Sequence, residues 1–428
     1  MMLRPHIAYR LGQLHIEEVA LERIARRYGT PTYVYSRAAL SEGFRAYADA
    51  CRGHDALVCY AVKASSNLAI LQLLAHLGAG FDIVSAGELE RVLAAGGDPA
   101  KIIFSGVGKT AAELGRALEV GIGCFNVESF SELHRLDAVA RDARARAPVS
   151  LRINPDVDPK THPYIATGLK DTKFGIPIED ALAAYREAAR LPHLEVVGID
   201  CHIGSQLLEE EPLIAAVDRL TGLVDRLELE QIAIRHIDVG GGIGIAYQAE
   251  ETVAVGSFVK RVLARIADWR RARHGGSPLR VLFEPGRSVV GNAGLLLARV
   301  EYLKPGHEKN YAIVDAAMND LLRPSLYEAW HEVVPFQEGQ AGAKRWDVVG
   351  PICESGDWLA RDRELSLAEG DLLAFLSAGA YGMSMASHYN SRPLAAEVMV
   401  DRDTIHEIRA REPISALFAQ EKLLPLTR

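Results

Sequence analysis

Eight short apolar runs, each separated from the next by a helical stretch, constrain this chain more than any other feature. They are LVCYAV (57–62), GFDIV (80–84), KIIFS (101–105), GCFNV (123–127), VSLRI (149–153), VVGIDCHI (196–203), HIDV (236–239) and RVLF (280–283). Near-continuous apolar runs mark strands buried on both faces. Between them, stretches such as NLAILQLLAHLG, SAGELERVLAAGG, IEDALAAYREAARL and SFVKRVLARIADWRRARHG carry apolar residues at helical spacing. Strand and helix in alternation predict parallel βαβ units. Eight of them in roughly 250 residues is the count and size of a closed (β/α)8 barrel. The competing arrangement is an open doubly wound sheet. Such a sheet usually carries a Gly-rich fingerprint after its first strand, and none stands there.

The chain has 428 residues, more than one small domain needs. After residue 290 the rhythm changes. LLLARVEYLK, NYAIVDAAM, RWDVVGPI, DLLAFLSAG and AAEVMV are strand-like, with Pro and Gly between them. The expected fold is therefore α/β: a TIM-type (β/α)8 barrel over 37–290 and a β-rich domain over 291–428. That second domain is discontinuous, because the early strand TPTYVYS (30–36) joins it and brings residues 1–36 along. Before that strand, HIEEVALERIARRYG (15–29) has helical spacing and a terminating glycine, which predicts one helix.

Composition excludes several classes of function. The net charge is −8 and no dense Lys/Arg run occurs, which argues against a nucleic-acid partner. No apolar run approaches membrane-spanning length and no signal h-region opens the chain, so no membrane partner is expected. The five cysteines show no Cys-x-x-Cys spacing, which suits free thiols in a reducing, cytoplasmic compartment and no metal site.

In a (β/α)8 barrel the chemistry lies at the C-terminal ends of the strands. The first strand ends at Lys63. The second is followed by Asp82 and Ser85, and the sixth runs into His202 and IGSQ. The seventh runs into Gly240, Gly241 and Gly242, and the eighth into Glu284, Pro285, Gly286 and Arg287. Each has a plain structural explanation when taken alone. A strand-end lysine snorkels to water, a histidine is a hydrogen-bonded core residue, three glycines make a tight turn, and Glu284 with Arg287 makes an ion pair. Together they fit the needs of pyridoxal 5′-phosphate. A lysine whose charge is penalised by burial offers an amine for a Schiff base. An acid can hold the pyridine nitrogen protonated, which deepens the electron sink. Glycine N–H groups, with Ser205 and Gly286, can approach a phosphate, and His202 can stack on the ring face.

YAVKAS, HIGSQ, GGG and EPGR, in that order and spacing, resemble the fold type III PLP-dependent decarboxylases, which join an alanine-racemase-like barrel to a β-domain. MNDLLRPSLYEAWH (318–331), GPICESGDWLA (350–360) and GAYGMSMASHYN (379–390) narrow the resemblance to the diaminopimelate decarboxylases. It spans about residues 30–415. One departure is Ser65, where asparagine is usual in the family. The resemblance implies decarboxylation of meso-2,6-diaminopimelate to L-lysine and CO2, the last step of lysine biosynthesis. It implies Lys63 as the Schiff-base lysine, His202 stacked on the cofactor and Glu284 on its ring nitrogen. Ser205, Gly242, Gly286, Arg287 and Tyr381 belong to the phosphate or ring region. Arg287, Arg323, Tyr327 and Tyr381 belong to the substrate, Glu354 to its distal ammonium, and Cys353 is a candidate acid near Cα. It further implies a homodimer, with Cys353 and Glu354 supplied across the subunit interface. Guanidinium forks suit the distal carboxylate, which a decarboxylase of a simple diamine precursor would have no reason to bind. Sister decarboxylases acting on carboxynorspermidine or ornithine share the scaffold and are the alternative.

Overall fold

The structure is a computed structural model that describes residues 3–158, 168, 172–273, 279–338 and 342–426. Contacts divide the chain into two compact units, 41–246 with 250–289, and 1–40 with 247–249 and 290–428.

The first unit is the closed parallel barrel. Its strands are β1 (Ala56–Ala61), β2 (Gly80–Ile83), β3 (Ile102–Phe104), β4 (Cys124–Val127), β5 (Ala147–Asn154), β6 (Leu194–Asp200), β7 (His236–Asp238) and β8 (Arg280–Phe283). Each pairs in parallel with the next, and β8 returns to β1 through Val281↔Ala56. All eight runs picked from the sequence are these strands. Four of the helices between them start where a side chain accepts a free N–H group of the first turn. Asn67, Ser85, Thr110 and Ser129 each do so, and Thr110 with Glu113 completes a reciprocal capping box.

Side chains alternate along each strand, so every second residue enters the barrel. Cys59, Ile103, Cys124, Val197 and Leu282 make an apolar cluster. Further along β4 and β6, Asn126 and Asp200 are buried, as are Asp82, Ser150, Arg152 and Asp238 on β2, β5 and β7. The interior thus changes from apolar to polar toward the strand ends. Asp82 lies inside β2, not after it as the sequence reading placed it.

The second unit is built on a nine-stranded sheet. Thr32–Ser36 lies in its middle, antiparallel to Gly294–Lys304 and parallel to Ala396–Asp401. The expected early strand does join the C-terminal β-structure. The expected helix over 15–29 is shorter, Leu21–Tyr28. Ahead of it, Gln13–Ile16 pairs with Ile7–Arg10 and Val19–Ala20. Leu14 and Ile16 alternate with Gln13 and His15, a two-residue period, and Glu17 at φ 51 turns the chain before a helix can begin. Ile16, Leu21, Ile24, Val34, Leu295 and Val398 share one core there.

Candidate active site

On the barrel unit, β1 ends in a single 3-10 turn, Val62–Ala64, that carries Lys63. Its Nζ donates to Asp82 Oδ2 at 2.5 Å. The lysine side chain is 35% exposed and the Asp82 side chain 0%. The lysine thus pairs with a fully buried carboxylate.

Three glycines close the turn after β7. An added Cβ would lie 2.5 Å from the Cys201 carbonyl oxygen at Gly240, 2.1 Å from that of Glu284 at Gly241, and 2.5 Å from that of Gly204 at Gly242. Backbone passes backbone here with no room for a side chain, and Gly240 and Gly242 also have φ of +68° and +105°. The turn is held by Gly240 N–H donating to Asp238 Oδ1 (2.8 Å) and Glu284 N–H to the Gly240 carbonyl (2.7 Å). Gly241 N–H donates to His202 Nδ1 at 3.3 Å, so His202 carries its proton on Nε2. Burial first, then the charges of Arg152 and Lys63, holds His202 well below the usual histidine range and keeps it neutral. Ser205 accepts from Arg287 Nη2 at 3.1 Å. Gly286 packs closely on Ala61 and Ala64, which brings the β8 turn against the turn bearing Lys63.

Beside Glu284 lie two acids, Asp200 and Asp238, that the reading of strand ends passed over. Carboxylate oxygens of Asp200, Asp238 and Glu284 lie within 4.8 Å of one another. Burial, then the neighbouring carboxylates, pushes Glu284 and Asp200 well above the carboxylate range, and burial pushes Asp238 up to about 7. Three buried carboxyls this close cannot all be ionised. Arg152 adjoins them and donates to Glu128 (3.0 Å) and to the His202 carbonyl (3.4 Å). A strand-parity reading would have found Asp200 and Asp238, each two residues ahead of a rim residue, His202 and Gly240.

These residues fit pyridoxal 5′-phosphate. Among the described residues Glu284 Oε1 is buried without a hydrogen-bond partner, the oxygen that a protonated ring nitrogen would satisfy. Lys63 offers the amine, and the glycine turns offer backbone that no Cβ obstructs.

The remaining candidates lie on the second unit. Arg323 is buried at the start of the short helix Arg323–Tyr327, and Tyr327 is half-buried. Cys353 is an exposed free thiol. Glu354, also exposed, accepts from Tyr389 Oη at 2.8 Å. Asp357 shapes their loop, accepting from the N–H groups of Ile352 and Met318, both at 2.7 Å. Tyr381 is half-buried with a left-handed backbone, φ 55. Sequence reasoning missed Asp357, Tyr247 and His331, the last two of which touch Arg323.

The family model for the pyridoxal-binding domain of pyridoxal-dependent decarboxylases matches residues 37–291. The diaminopimelate decarboxylase of Pseudomonas aeruginosa is 60% identical over 418 residues, covering 98% of this chain and 99% of the relative. Among solved structures, diaminopimelate decarboxylase from M. jannaschii in co-complex with L-lysine superposes with a TM-score of 0.94 at 36% identity, over 99% of each chain. The Helicobacter pylori enzyme complexed with L-lysine gives 0.89 at 43% identity, over 94% of this chain and 99% of that one.

Proposed function

From the premise that this chain belongs to the pyridoxal-dependent decarboxylases, we propose that it converts meso-2,6-diaminopimelate to L-lysine and CO2. Pyridoxal 5′-phosphate, when bound, supplies the electron sink for the pair left by the departing carboxylate. The chain's own residues do the rest. Lys63 Nζ, held by Asp82, would be the amine that carries the cofactor covalently. Glu284, with its raised affinity for a proton and its unsatisfied Oε1, would meet the ring nitrogen and hold a proton there. Neutral His202 would cover one face of the ring without adding a competing cation. The turn at Gly240–Gly242, with Ser205 and Gly286, would receive the phosphate, and the Tyr381 hydroxyl of the β-rich unit would be a further ligand to it.

Substrate recognition falls to Arg323, Tyr327 and Arg287 for carboxylate and to Glu354 for the distal ammonium. The Cys353 thiol delivers the proton that replaces CO2 at Cα, so one C–C bond breaks and one C–H bond forms. The exposure of Cys353 and Glu354 supports their insertion into a second subunit. We therefore propose a two-fold homodimer in which each site uses Cys353 of the partner subunit. The free thiols suit a reducing compartment, and the cytoplasm is the proposed location. Among the described residues no helix is long and apolar enough to cross a membrane.

The observation that carries this reading is the buried, unpartnered Glu284 oxygen on the rim that also bears Lys63 and the glycine turn. The test is CO2 release with product identification on meso-diaminopimelate, L-lysine and L-ornithine. Lysine formed from diaminopimelate alone is the expected result. Preferential turnover of ornithine would identify a sister decarboxylase instead.

A further inference from the structure

Arg323 is buried, and its surroundings are more built than a carboxylate ligand on a flexible stem requires. Its Nη1 lies 3.0 Å from His331 Nε2. The other ring nitrogen, His331 Nδ1, lies 2.9 Å from the Leu376 carbonyl oxygen. A carbonyl only accepts and a guanidinium only donates. The two contacts together leave one arrangement: the proton sits on Nδ1, and Nε2 turns a lone pair to Arg323. A doubly protonated ring would present an N–H and a like charge instead.

His331 cannot easily leave this position. It is fully buried, and its backbone carbonyl accepts from Arg363 Nη2 at 3.1 Å. Its ring meets Tyr247 edge-on, with centroids 5.4 Å apart. Tyr247 also covers the guanidinium, with Arg323 Cζ 4.6 Å from its ring centroid. Tyr247 is anchored in turn, since its backbone carbonyl accepts from Arg4 Nη2 at 2.8 Å. One face of Arg323 thus rests on an aromatic ring and one N–H is committed to an imidazole. A guanidinium fixed beforehand loses less rotamer freedom when it meets a carboxylate.

We propose that His331, held as the neutral Nδ1–H tautomer by the Leu376 carbonyl, is a positioning residue that, with the Tyr247 ring, aims Arg323 at the distal carboxylate of the substrate. This rests on the reading of Arg323 as a carboxylate ligand given above. His331 itself touches no substrate in this scheme.

The experiment uses holoenzyme and two ligands, L-lysine, which keeps the distal carboxylate, and 1,5-diaminopentane, which lacks it. Dissociation constants are measured for wild type, His331→Leu, His331→Gln and Arg323→Ala, beside KM and kcat for diaminopimelate. His331→Leu, which removes the acceptor, is expected to weaken L-lysine by at least about tenfold and leave 1,5-diaminopentane within about twofold. KM should rise more than kcat falls. His331→Gln, whose amide oxygen can accept from Arg323, should recover most of the loss. Equal weakening of both ligands, or no weakening, overturns the proposal and leaves His331 a packing residue. If wild type prefers lysine and Arg323→Ala removes that preference while His331→Leu keeps it, this inference alone falls. If wild type shows no preference for lysine, the Arg323 assignment falls and takes this inference with it.

Discussion

Asp238→Asn probes the acid cluster beside Glu284, and its effect can be worked out from the structure. Burial raises the Asp238 carboxyl from 3.8 to about 7, while the Gly240 N–H and a hydrogen bond with the Glu284 carboxyl pull it back. The unfolded chain gives up the same proton near pH 4. Between those values the native barrel binds a proton that the unfolded chain does not, so stability falls as pH rises. The contribution is fully present below about pH 4 and is lost as pH passes through about 7. Asparagine keeps the oxygen that accepts from Gly240 and cannot ionise. The apoprotein variant should therefore gain on wild type as pH rises, by about 3 kcal/mol more at pH 8 than at pH 5. The cofactor is removed first, because a cation beside Glu284 would offset the same charge. Urea unfolding at the two pH values measures the gap. Hydrogen exchange in peptides over 236–242 assigns it to the barrel and not to the β-rich unit. A stability difference that is the same at both pH values would refute the reasoning.

Arg323→Ala should lower kcat/KM for diaminopimelate by about 2 kcal/mol or more, roughly thirtyfold, while the absorption of the bound cofactor is unchanged. Normal turnover would remove Arg323 from the substrate site. Gly241→Ala forces a methyl to within 2.1 Å of the Glu284 carbonyl oxygen. Its cost of about 1–3 kcal/mol should lower the barrel's Tm by roughly 2–4 °C per kcal/mol and loosen cofactor retention on gel filtration. An unchanged Tm would show that the turn relaxes freely. Lys63→Ala and Cys353→Ala proteins, each nearly inactive alone, should regain roughly a quarter of wild-type activity when mixed and re-associated. Silence after demonstrated subunit exchange would mean that each site is built from one chain.

The barrel was legible because its strands are short, apolar on both faces and regularly spaced, and because rim chemistry follows strand ends in this topology. Lys63, His202 and the glycine turn were found by that rule. Asp82, Asp200 and Asp238 were overlooked or misplaced because they point inward from within strands, where alternation and not position after the strand is the signal. Trp358–Leu365 escaped notice because Arg361, Asp362, Arg363 and Glu364 break its apolar run, although Arg363 is buried and packs beneath Trp330. The segment 13–20 satisfied both periods, and the strand won through its pairing with Ile7–Arg10. Tyr247 gave no sequence signal at all. Residues 247–249 leave the barrel's stretch of chain to pack with the other unit, and nothing local records that.

The central place of Thr32–Ser36 in its sheet has a consequence for synthesis. One neighbour, Gly294–Lys304, emerges more than 250 residues later, and the other, Ala396–Asp401, roughly 360 residues later. At about 5–20 residues per second the strand waits roughly 13–50 s with both edges open, and roughly 20–70 s until its second neighbour emerges. The barrel's strands all fall within 56–283, so that unit can close while the first strand is still unpaired. Open edges invite pairing with other nascent chains. A transcript truncated before residue 396 would leave that condition permanent, and its product should partition into the insoluble fraction even with a complete barrel.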